Sequence, residues 1–125
     1  MHRVSLFISI LALFAVGASG QDPVKVDPQH YKVETENARV RVLRIHYGPH
    51  EKSPMHSHPD AVAVFLTDGH VKFGLPGGKS QEASFKSGET QWNAAGTHAP
   101  ENLGDQPFEL ILVELKGKRA AAAKK

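Results

Sequence analysis

The run His56-Ser57-His58-Pro59-Asp60 stands directly ahead of an apolar, strand-like stretch, Ala61 to Thr67. Side chains alternate along extended backbone, so His56 and His58 share one face. Two imidazoles on one face can hold a single metal ion. A third histidine, His98, follows forty residues after His58 in Ala95-Gly96-Thr97-His98-Ala99-Pro100-Glu101-Asn102. A fold that brings His98 beside the pair completes a three-histidine site.

Outward from this run, the chain reads as short strands between turns. Tyr31 to Glu34 and Ala38 to Tyr47 come first, joined through Glu36-Asn37. In the second, Val40 and Val42 alternate with arginines before the apolar positions shift to Leu43, Ile45 and Tyr47. That shift predicts a bulge or a change of sheet face. Asp68-Gly69 is a hairpin signal between Ala61–Thr67 and His70–Leu75. Pro76-Gly77-Gly78-Lys79 and Ser87-Gly88 turn the chain again around a strand at Gln81–Phe85. Gln91–Asn93, His98–Asn102 and Phe108–Leu115 follow. No segment here carries a helical period, which predicts an all-β sandwich or barrel. Gly69, Gly88 and Gly96 are assigned to turn geometry, and Asn102 to bonding backbone in a turn.

The ends differ from the body. After Arg3, Val4 to Val16 gives thirteen residues of almost unbroken apolar character, and Ala18-Ser19-Gly20 supplies small residues before Gln21. Residues 1–20 therefore read as a secretory signal peptide, since the apolar run is shorter than the roughly 20 residues that span a bilayer. The expected protein is secreted or periplasmic, with no stable membrane insertion after cleavage. The remainder, 125 − 20 = 105 residues, suffices for one domain. It divides into an extended lead-in at 21–30, a β domain at 31–116 and a basic flexible tail at 117–125. The chain has no cysteine, which excludes disulfides, thiolate ligands and thiol nucleophiles. From Gln21 to Leu115 nine Lys and Arg face thirteen Asp and Glu, a net of 9 − 13 = −4. The domain thus lacks the basic face that nucleic acid requires.

Taken together, Gly48, His56, His58 and Gly69, then Gly88, Gly96, His98 and Asn102, resemble the two sequence motifs of the cupin superfamily. The resemblance implies a cupin-type jelly-roll β-barrel, with little or no helix outside the leader and the tail. It implies a divalent transition metal, Fe, Mn, Zn, Ni or Cu, on His56, His58 and His98. The family's glutamate ligand falls at Val62 or Ala63, and neither can bind metal. Ala94 stands where the second motif has proline, and Gly96 lies one residue too close to His98. The fourth position is assigned to water or substrate first, then Gln91, then Asp60, with Glu89, Glu101 and His50 more remote. The resemblance further implies a small organic ligand, dioxygenase-like or isomerase-like chemistry or else non-catalytic binding, and a homodimer. His30, His46, His50 and His70 are read as ordinary polar residues. The H-x-H-x-D start of a metallo-β-lactamase signature is rejected, because Ala61 stands where histidine is required.

Overall fold

The computed structural model describes residues 21–117. The leader-like residues 1–20 and the basic residues 118–125 lie outside the described residues. Nine strands follow one short helix: α1 Pro23–Val26, β1 Tyr31–Glu36, β2 Val40–Tyr47, β3 His56–His58, β4 Ala61–Phe65, β5 Gly69–Gly74, β6 Ser80–Phe85, β7 Thr90–Asn93, β8 Gly96–Asn102 and β9 Phe108–Leu115. They form a five-stranded sheet, β1-β2-β9-β4-β7, and a four-stranded sheet, β3-β8-β5-β6. Every paired neighbour is antiparallel. The chain is an all-β jelly roll.

Period-two alternation builds the core. On β9 the inward positions are Phe108, Leu110, Leu112 and Glu114, and on β4 they are Ala61, Ala63 and Phe65. With Leu43, Ile45 and Tyr47 of β2 they form a single apolar cluster. Full burial of a side chain such as Leu43, which is 0% exposed, is worth about 1.5–3 kcal/mol. Glu114 is the exception, a carboxylate 2% exposed at the end of an otherwise apolar row.

Three local expectations are corrected. The irregularity near Leu43 is a bulge in β1, where the register jumps between Val33 and Thr35. β2 itself pairs with β9 without a break, so Arg41 lies on the same inward face as Leu43. Asp68-Gly69 does not close a hairpin, because β4 and β5 belong to different sheets and the chain crosses between them there. Gly69 is required for space rather than for turning: a Cβ on it would stand 2.3 Å from the Phe85 ring. Pro76 to Lys79 does close a hairpin between β5 and β6, with Gly77 and Gly78 at positive φ. Finally, the lead-in is not wholly extended. Asp22 caps one helical turn, its carboxylate accepting from the Val24 N–H, with Pro23 early in the turn.

Candidate metal centre

β3 and β8 pair antiparallel, with His56 directly opposite His98 and His58 opposite Gly96. Period two puts His56 and His58 on one face, and directly opposed residues share that face. The three imidazoles therefore converge, and a ligand atom from each lies within 4.8 Å of the others. Ring centroids are 4.9, 5.0 and 5.1 Å apart, with interplanar angles of 84°, 90° and 70°.

Outer contacts fix which nitrogen of His56 and of His58 is free. The His56 Nδ1–H donates to the Pro54 carbonyl at 2.8 Å, and the His58 Nδ1–H donates to Glu114 Oε2 at 2.7 Å. Carbonyl and carboxylate oxygens only accept, so the protons sit on Nδ1 and the Nε2 lone pairs remain available. The Nε2 atoms of His56 and His98 are buried with no hydrogen-bond partner among the described residues. A buried, unsatisfied polar atom costs about 1–3 kcal/mol. Two of them converging on one point are what a metal ion would satisfy. Burial, then the neighbouring His58, pushes the His56 pKa down to about 4. Burial and the other two imidazoles push His98 down to about 3. Both rings are thus neutral near pH 7, the form in which an imidazole can ligate a metal. Phe73 stacks on His98 at 4.9 Å and 16°, which holds that ring in place.

Behind His58 runs a chain of charges. Glu114 Oε1 accepts from Arg41 Nε at 2.8 Å, and the Arg41 guanidinium makes a two-pronged contact with Asp22 at 2.8 and 3.0 Å. Burial raises the Glu114 carboxyl, but the His58 and Arg41 hydrogen bonds outweigh it and hold it below its ordinary value. The Arg41 hydrogen bond likewise lowers Asp22. The Gln21 carbonyl accepts from the Ser57 N–H, between the two histidines of β3, so the lead-in is tied to the site. Neither Glu114 nor Arg41 was singled out from sequence. The available signal was a charged residue at an inward position of each strand.

The other candidates fall elsewhere. Ala63 is fully buried but carries no ligand atom, and Val62 is on the opposite face of β4. The Asp60 carboxylate accepts from the Ala95 N–H at 2.7 Å and is not part of the three-residue group. Gln91 donates to Asn93 and lines the cavity. His50, at φ 60°, and Asp105 form an exposed pair, and Glu101 bridges to Lys52. His30 is not an ordinary surface residue: it is 7% exposed, stacks on Tyr47 at 4.2 Å, and contacts Asp27 at 2.6 Å. The Tyr47 and Tyr31 hydroxyls are 2.6 Å apart, and Tyr31 meets His56 edge-on at 4.8 Å. Asn102 bonds backbone as expected, donating to Gly48 and Gln106 carbonyls and accepting from the Gly104 N–H.

His58 and His98 form part of the wall of a cavity of about 370 Å³ between the sheets. The site thus joins three convergent imidazoles to a cavity large enough for a small molecule.

No family model matches the sequence, and no curated protein matches it. Solved structures do share the fold. A cupin domain from Bordetella pertussis Tohama I is 27% identical, with a TM-score of 0.65, over 70% of this chain and 92% of that one. A double-stranded β-helix domain protein from Klebsiella pneumoniae is 21% identical, with a TM-score of 0.56, over 70% and 76%. An RmlC-like cupin from Methanocaldococcus jannaschii is 16% identical, with a TM-score of 0.54, over 78% and 90%. The architecture is therefore the cupin-type jelly roll.

Proposed function

We propose that the chain is a small metal-binding cupin that holds one divalent transition metal through His56, His58 and His98 and admits a small organic ligand from the cavity. The observation that carries this reading is the convergence of three imidazoles, two with buried, partnerless Nε2 atoms. Imidazole nitrogens suit Zn, Cu, Fe and Ni, and Mn is the weakest fit of the five candidate ions because it prefers oxygen ligands. When bound, the ion supplies Lewis acidity and, if it is iron or copper, a position for O₂. The protein's own part is orientation. Glu114 fixes the His58 tautomer, the Pro54 carbonyl fixes that of His56, and Phe73 braces His98. Water or ligand completes the coordination.

Among the described residues the cavity wall contains no Asp, Glu, Lys or Arg, and burial keeps the Tyr31 phenol protonated. Isomerisation needs a group that takes and returns a proton, so the wall favours dioxygenase-like chemistry or plain ligand binding. Export and homodimerisation remain part of the proposal, the first resting on residues 1–20 and the second on the family resemblance. Metal content of untagged protein, with His56→Ala and His98→Ala alongside, tests the reading. One ion per chain in the wild type, lost in both variants, supports it. Sub-stoichiometric metal in all three, after equilibration with each candidate ion, contradicts it.

A further inference from the structure

The wall of the cavity joins two kinds of surface that select one class of ligand. Phe73, Leu110 and Leu112 give part of it an apolar lining, and no charged side chain among the described residues lines it. The exposed side chains of Gln91 and Trp92 line it as well, and they mark its solvent side. Only His58 and His98 connect it to the metal-binding group, since His56 is 0% exposed and is not in the wall. Three neutral imidazoles leave the full charge of a divalent ion uncompensated. The carboxylate that bonds the triad, Glu114, is already shared between His58 and Arg41. An anionic oxygen is therefore favoured at the ion, in surroundings of low dielectric that strengthen the attraction. A second charge held inside the cavity, away from the Gln91 and Trp92 side, would be buried against Phe73, Leu110 and Leu112 with no counter-charge.

We infer that the ligand of this site is a small amphipathic monoanion, a carboxylate or enolate head on an uncharged aromatic or branched body. This rests on the metal-binding reading above. About 370 Å³ equals the share of roughly a dozen water molecules in the liquid, enough for a phenyl-sized body and its head group. Trp92, the sole tryptophan of the chain, borders the cavity and gives an optical signal.

The test is calorimetric titration of zinc-loaded wild-type protein at neutral pH, with Trp92 fluorescence as a second readout. Four probes separate the features: phenylacetate, its neutral amide, acetate, and (4-carboxyphenyl)acetate with a second charge at the far end. Phenylacetate is expected to bind at least about ten-fold more tightly than each of the others. Its advantage over the amide should vanish in zinc-free protein. Equal binding of the amide, or an equal or tighter fit of acetate or the dicarboxylate, overturns the inference. So does zinc at one per chain with no phenylacetate binding up to ~10 mM. Failure to take up zinc or any other candidate ion overturns this inference and the metal-binding reading together.

Discussion

At the scale of single residues, the site is defined by what each imidazole gives up. His56 and His98 sit neutral in the interior with Nε2 unsatisfied, a cost the metal-free protein carries alone. His98→Leu removes an orphaned nitrogen while keeping an apolar contact for Phe73. It should abolish metal binding and stabilise the metal-free protein by about 1 kcal/mol in urea denaturation. Acid should act in the same direction as the orphaned nitrogens. An unfolded histidine takes up a proton near pH 6.5, whereas folded His56 and His98 resist until about 4 and about 3. The unfolded state therefore binds more protons in that window, and stability falls as pH drops from about 6.5 toward 3. Denaturation midpoints of chelator-treated protein across this range check the sign. Glu114 acts one step out. Glu114→Gln removes the charge that fixes the His58 tautomer and should weaken metal binding by about 10–100-fold, read by chelator competition. Gln keeps the shape, so circular dichroism should be unchanged.

At the scale of elements, β3 and β8 form the site and the link from β8 to β9 locks it in register. Asn102 ends β8, is 1% exposed, and bonds the carbonyls of Gly48 and Gln106. Asn102→Ala leaves those carbonyls unsatisfied and should cost about 2–3 kcal/mol of unfolding free energy, measured by chemical denaturation. Most strands were legible because alternation is a local property. His56 and His58 announce a shared face two residues apart, and Phe108 to Leu115 reads as a strand from its apolar run, whose burial the structure resolves into alternation. What local pattern does not carry is the partner of each strand. Asp68-Gly69 has hairpin chemistry but sits at a crossing between sheets, where Gly69 makes room for Phe85. Arg41 read as the polar partner of Val40 and Val42 because the group it meets is distant: Glu114 is 73 positions along the chain. Glu114 itself was hidden for the same reason, since an inward carboxylate is explained only by the His58 and Arg41 it meets.

At the scale of the whole molecule, the two sheets enclose a charge-free cavity with the histidine triad in its wall. The carboxylate missing near Val62 is not replaced in the ligand group. Glu114 stands behind His58 instead, directly across from Ala61 in the β4–β9 pairing. A carboxylate thus stands behind one imidazole of the triad and not among them, which leaves the point on which the three converge more electropositive. The described domain holds together without disulfides, and its lead-in is fastened to the site through Asp22 and Gln21. The central claim is that three imidazoles, with no protein carboxylate, hold one ion. X-ray absorption at the zinc edge of zinc-loaded protein tests it most directly. The account predicts three imidazole nitrogens at about 2.0–2.1 Å, with water or ligand oxygen completing the sphere. A sphere with fewer than three imidazoles, or one that loses an oxygen ligand in Asp60→Asn or Gln91→Ala protein, would contradict it.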